Sequence, residues 1–286
     1  MPCPHGSGPK TSWPTPAPLW DTVRFVRAYL ALCSAGFRRQ ATYRLALVSG
    51  LATNLFFGLV RTALFTALYR QRPGAAVGGL GLDDALTYVW MIQALFGVVW
   101  VSWIWEFPEA VRSGDFVVEL TRPGDPWLRQ LAYELGRTAN QLLVRSTLPL
   151  LGAAVVLPLA LPTTPAGVLA LGASMVLAGV VAFEIRYLFG TVAFWSSDYR
   201  SVFNIVFPVL WLASGFVIPV DYFPPALRAL ADASPLAAML MAPVHVAIGQ
   251  SVAAWLAAQA GWAVALGLAN RATLALSCRR LVVHGG

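Results

Sequence analysis

The sequence predicts an all-α, polytopic membrane protein, and three observations carry that expectation. Hydrophobic residues make up 58% of the 286, and the mean hydropathy is +0.66. Charged residues are only 12%, about half of the ~25% usual for soluble domains. Several apolar runs exceed the ~18–20 residues that cross a ~30 Å hydrocarbon core. Once six spans are placed, little chain remains for a separate soluble domain.

In chain order, residues 1–18 read MPCPHGSGPKTSWPTPAP. They hold no apolar core segment and so do not read as a signal peptide; their Pro, Ser and Gly content suggests a short disordered cytoplasmic tail. Over residues 19–44, Val23, Val26, Leu30, Cys33 and Phe37 recur at intervals of three and four, with Asp21, Arg24, Arg27, Arg38 and Arg39 elsewhere on the wheel. That pattern predicts an amphipathic helix lying along the interface. It either anchors the first span or also touches a partner. Residues 45–286 then form a single transmembrane domain, with spans near 45–69, 85–105, 139–161, 166–189, 202–219 and 251–270.

Orientation follows from the basic residues. With the N-terminus inside, the inner segments hold Lys10, Arg24, Arg27, Arg38, Arg39, Arg44, Arg112, Arg122, Arg129, Arg137, Arg200, Arg271, Arg279 and Arg280, and the outer ones only Arg70, Arg72 and Arg228. This asymmetry predicts a plasma-membrane protein with both termini cytoplasmic. It also accounts for the net charge of +7 without any affinity for nucleic acid. Cys3, Cys33 and Cys278 fall on the inner side without metal spacing, as expected of free thiols in a reducing compartment.

Residues 106–137 break the apolar pattern, holding ten of the 33 charged side chains. Pro108 can occupy the first turn of a short helix, and Gly114 can end it. Asp115 to Leu120 make a second brief amphipathic turn closed by Thr121-Arg122-Pro123-Gly124. Asp125 caps a helix from Pro126, with Trp127, Leu128, Leu131 and Leu135 on one face and Arg129, Glu134 and Arg137 off it. Such a segment suits transmission of force from a soluble partner into spans two and three, with Phe116, Leu120, Arg122, Asp125 and Trp127 as the contact residues. A passive solvated connector is the alternative.

Charges inside spans are costly and call for a role. By rise per residue Arg145 lies ~9 Å from the start of its helix, and Arg61 ~12 Å from the outer end of its own. Glu184 and Arg186 fall toward the inner third of the fourth span. An ion pair of Glu184 with Arg145 or Arg186 is one reading; substrate or gating involvement is the other. After the fifth span, Pro219, Pro224, Pro225, Pro235 and Pro243 cut an apolar stretch into short pieces. A re-entrant hairpin in the outer leaflet fits it, as does a loop resting on the interface.

Catalytic chemistry is not visible. A phosphate-binding loop needs Gly-Lys-Ser/Thr, and the one lysine, Lys10, follows Pro9. His5, His245 and His284 are too scattered for a metal site. Asp232, Ser234 and His245 lack the base and oxyanion site a serine nucleophile requires.

At these residues the chain resembles the permease subunits of bacterial type-2 ABC transporters, the six-span subgroup without a fused ATPase. The resemblance rests on the basic N-terminal helix, the Arg112-Ser113-Gly114-Asp115-Phe116…Leu120-Thr121-Arg122-Pro123-Gly124-Asp125-Pro126 run, and Arg186…Ala193-Phe194-Trp195. It continues through Phe223-Pro224…Leu227…Ser234-Pro235-Leu236 to Arg279-Arg280…Gly285-Gly286. It implies the membrane half of an exporter, not an enzyme on its own, paired with an identical or sister permease in the lipid bilayer. A separate ATPase subunit would dock on the 112–126 run and bind ATP with magnesium; no cofactor is expected in this chain. Phe223, Pro224 and Pro235 would belong to an outward gate. Arg61, Arg145 and Glu184 map onto no family role. The competing class is an ion-gradient-driven secondary transporter or channel, which would show internal repeats and midplane charges.

Overall fold

The computed structural model describes residues 19–42, 44–71, 74, 76–99, 106–196 and 198–277. The predicted tail 1–18, the end of the second predicted span (100–105) and the C-terminal Arg279-Arg280…Gly285-Gly286 lie outside the described residues. Among those described, the structure is helical, with a single bridge at Val77 and Leu80.

Twelve α-helices are described: α1 Leu19–Thr42, α2 Arg44–Arg70, α3 Leu82–Val99, α4 Glu106–Ser113, α5 Asp115–Thr121, α6 Pro126–Asn140, α7 Thr147–Val156, α8 Pro165–Gly190, α9 Tyr199–Ala213, α10 Pro225–Asp232, α11 Pro235–Ala247 and α12 Val252–Ser277. A π-helical stretch, Gln141–Ser146, joins α6 to α7, and short 3₁₀ turns occupy Thr191–Phe194 and Val220–Tyr222. Many starts follow from capping chemistry. Asp125, Thr164, Asp198 and Ser234 each accept a bond from a backbone N–H of the first turn that follows, and Pro126, Pro165 and Pro235 open their helices, where a missing N–H costs nothing.

Among the described residues, five helical stretches are long and apolar enough to cross a membrane: Val48–Arg70, Leu82–Val99, Pro126–Val156, Pro165–Phe194 and Val252–Ser277; α10 and α11 together are also long and apolar enough, but the pair is bent by 95°, as in a broken span or a re-entrant loop. Two departures from the sequence reading have clear causes. The third predicted span, 139–161, overlaps only the later part of a longer rod that ends at Val156, because the π stretch carries α6 into α7 without a break. Arg129, Glu134 and Arg137 had masked its lower half. The fifth predicted span, 202–219, is the 15-residue helix α9, ended by Gly215 at φ +79°.

The core centres on α3, whose residues Ala85 to Leu95 are all buried. Helices α2, α7, α8 and α11 pack around it. Polar side chains fix the bundle, as they do where no hydrophobic effect separates helix from lipid. Gln259 of α12 donates to the carbonyls of Ser174 in α8 and Ala238 in α11, both at 3.0 Å.

Helix α1 packs along α6. Contacts advance together along both, from Tyr29 beside Gly124 to Gln40 beside Gln141, so the two run parallel. The approach needs glycines: a Cβ on Gly36 would strike the Tyr133 carbonyl, and one on Gly136 the Cys33 carbonyl. Val26 and Leu30 of the predicted apolar stripe stay exposed.

Candidate functional site

Charged residues in 106–137 build a folded cap on one end of the bundle. Gly114, at φ +85°, makes the left-handed corner between α4 and α5, a conformation that carries a steric penalty for other residues. Asp125 Oδ1 then accepts from the Trp127 and Leu128 N–H groups at 2.9 and 3.4 Å. These boundaries match the sequence reading.

Arg129 holds the turn between α5 and α6. Its Nη1 donates to the carbonyls of Arg122, Pro123 and Gly124 at 3.1, 3.1 and 3.0 Å. Its Nη2 donates to the Glu119 carbonyl and lies 3.2 Å from the Glu119 carboxylate. Sequence reasoning placed Arg129 on the solvent side of α6 and missed this; an Arg five residues after a Pro-Gly turn was the available signal.

Below the cap lies an aromatic cluster: Phe107, Val111 and Phe116 pack against Phe183 and Tyr187 of α8, Ala193 of the 3₁₀ turn and Leu274 of α12. Phe116 is 4% exposed, with Leu120 and Trp127 packed against the same cluster. The sequence reading turned Phe116, Leu120 and Trp127 toward a partner. The structure turns them inward, because three aromatic or aliphatic side chains on so short a segment find the ends of α8 and α12 within reach. Outward-facing residues are Arg112, Val118 (56% exposed) and Arg122, the last paired with Glu119 at 2.7 Å.

Arg39 of α1 braces the cap from the side, donating to the Tyr133 hydroxyl at 3.1 Å and to Glu106 at 2.8 Å. The Tyr133 hydrogen bond, above all, raises the Arg39 pKa against the opposing effect of burial, and Glu106 adds to it.

The predicted ion pair is replaced by a different pairing. Glu184 takes neutral donors, the indole Nε1–H of Trp127 at 3.0 Å and the Asn270 amide at 2.6 Å. Arg186 turns instead to Glu134 at 3.0 Å, and Glu134 also binds Arg137 at 2.6 Å. Arg145 lies against Gly50, where its guanidinium fills the space a Cβ would need. The cause is helical phase. Glu184 and Arg186, two residues apart, point to different neighbours, and α6 supplies Glu134 to one of them. Glu134 carried no mark in the sequence, since an (i, i+3) pair with Arg137 looks like a solvated face.

At the opposite end, Phe223, Pro224 and Pro235 bracket α10. Phe223 packs on the main core, Pro224 is exposed, and Pro235 opens α11. Neighbouring ties close this end. Tyr69 hydroxyl lies 2.9 Å from that of Tyr222, Asp221 binds Arg228 at 2.6 Å, and His245 stacks on Trp255. Burial, chiefly, pushes the Tyr222 phenol up, and its bond to Tyr69 adds to this.

Between α9 and the bundle runs a crevice of about 530 Å³ of empty space. Phe203, Phe207 and Trp211, on one face of α9, form a ladder of rings from Phe189 to Phe216 with Arg186 in the wall.

Fold and site together define a multi-pass, all-helical membrane protein whose charged cap is packed onto the ends of its spans. A family model described as ABC-2 family transporter protein matches residues 56–285. The chain belongs to that family, and is a membrane permease of the ABC-2 type. Neither a curated protein nor a solved structure matches it.

Proposed function

We propose that this chain is the membrane-spanning subunit of an ABC exporter, and that a separate ATPase subunit docks on the exposed edge of α4 and α5. The observation that carries this reading is the cap itself. Its aromatic side chains are spent on α8 and α12, while Arg112, Val118 and Arg122 are presented outward. Closure of the ATPase on ATP and magnesium moves the cap, and the packed rings pass that displacement to the spans. A ligand that acts on one conformation shifts the population of the other.

In this reading the cap and both termini are cytoplasmic, in agreement with the asymmetry of Lys and Arg along the chain. Val26 and Leu30 of α1 rest in the lipid interface, and α10 with α11 re-enters the membrane from outside as the gate. A second permease, identical or a sister chain, completes the pathway, to which the ring-lined crevice beside α9 contributes an apolar wall. This chain hydrolyses nothing by itself.

Co-expression with an ATPase that carries a phosphate-binding loop tests this. Copurification and ATP-dependent transport in proteoliposomes are expected, with a Cys at Thr121 labelled only after permeabilisation of cells and one at Leu227 labelled in intact cells. Transport that continues under an ion gradient, with no ATPase bound and ATP depleted, would instead establish a secondary carrier.

A further inference from the structure

One side chain of the cap reaches past the aromatic cluster into the bundle. Trp127, in the first turn of α6, donates its indole N–H to Glu184 Oε2 at 3.0 Å. Asn270 of α12 donates to the same oxygen at 2.6 Å and to the Glu184 carbonyl at 2.9 Å. Glu184 is 1% exposed. The Trp127 ring lies on Gly267, where a Cβ would meet it at 3.2 Å. From the other side, the Arg271 guanidinium lies 5.5 Å from the ring centre while donating to Asp125 at 2.6 Å. The start of α6, the lower part of α8 and the last turns of α12 thus meet at one carboxylate.

The chemistry of that meeting differs from the cluster beside it. Apolar contacts are non-directional and let two helices slide while remaining buried. Hydrogen bonds to a carboxyl oxygen are directional, and breaking them inside the bundle leaves a buried polar group unsatisfied. A cap held to α12 only by the apolar contact of Leu274 and by the half-exposed pair of Arg271 with Asp125 could move without it. A cap held through Trp127 and Glu184 cannot.

We propose that Trp127, Glu184 and Asn270 form a coupling joint, positioning residues that make α12 travel with the cap when the ATPase partner displaces it. This rests on the permease reading above. The joint keeps its geometry through the transport cycle, and α12 and α8 move as one body with α5.

The test uses the permease–ATPase complex in lipid nanodiscs, with Cys3, Cys33 and Cys278 replaced by serine and spin labels at Thr121→Cys and Ala275→Cys. The distance between labels is measured without nucleotide and with vanadate-trapped ATP. The expected result is one distance in both states for the otherwise native chain, and a shift between states in Trp127→Phe, which keeps the ring and loses the N–H. Glu184→Gln keeps the side-chain shape and is expected to give a smaller shift; it carries the test alone if Trp127→Phe does not fold. A native distance that shifts as far as that of the variants overturns the joint, leaving the permease reading intact. If no ATPase copurifies with the native chain, the permease reading fails, and the joint with it.

Discussion

The rings of Phe107 and Tyr187 are stacked, their centroids 4.4 Å apart and their planes 13° from parallel. That stack seats the first turn of α4 on the last turn of α8. Cutting Phe107 back to alanine opens a void in the buried cluster and should cost about 3–5 kcal/mol. Thermal unfolding of the purified permease, without any partner, measures it. An unchanged melting temperature would mean that the cap is held from elsewhere.

Arg129 gives a more local forecast. Arg129→Gln removes the donors shared by the carbonyls of residues 119 and 122–124, and charged hydrogen bonds of this kind are worth about 1.5–3 kcal/mol. Backbone amide exchange across residues 119–126 should accelerate, while α8 and α12 keep their protection. Uniform acceleration through the whole chain would contradict a role confined to the turn.

Gly36 and Gly136 allow α1 and α6 to touch backbone to backbone. Alanine at either position meets a carbonyl rather than a movable side-chain end, so overpacking should destabilise by about 1–3 kcal/mol. Limited proteolysis reads it directly, as earlier release of α1 from the folded remainder.

Glu134 sits between two cations, Arg137 and Arg186. Glu134→Gln leaves both guanidiniums buried without it and should cost about 3–5 kcal/mol, whereas the triple change Glu134→Leu, Arg137→Met, Arg186→Met should recover most of that stability. Melting curves of the two variants decide the matter. If the single change is harmless, the triad is not what fixes α6 to α8.

The proposed docking edge is tested by charge. Val118→Asp with Arg122→Glu alters outward-facing groups and gives up the exposed Arg122–Glu119 pair, so stability should fall by no more than about 1 kcal/mol. ATPase copurification should fall sharply. Retention of the ATPase at native levels would move the docking surface elsewhere on the cap.

Much of the architecture was legible because local chemistry fixes it. Gly114, Asp125 and Pro126 marked the helix boundaries of the cap, and hydropathy marked the long spans. What the sequence hid was tertiary. Trp127 looked like an exposed anchor, since its partner Glu184 lies 57 positions further on, and Asn270, which shares that carboxylate, lies further still. Glu134 and Arg129 looked like the solvated side of an amphipathic helix, which also concealed that this helix continues through residue 156. Glu184 and Arg145 carry opposite charge on the same predicted side of the bilayer, but their depth along a span says nothing of direction around its axis.

The parallel contact of α1 with α6 also sets a schedule for synthesis. Gln40 and its partner Gln141 are 101 residues apart, so at ~5–20 residues per second α1 waits roughly 5–20 s for the chain that will cover it. Through that interval its apolar stripe needs another surface. A bilayer face beside the insertion machinery is the nearest one, which makes the first helix a waiting guest of the lipid before it becomes a neighbour of α6. Val26 and Leu30 stay exposed among the described residues, so under the interfacial reading they keep that surface after the bundle is finished.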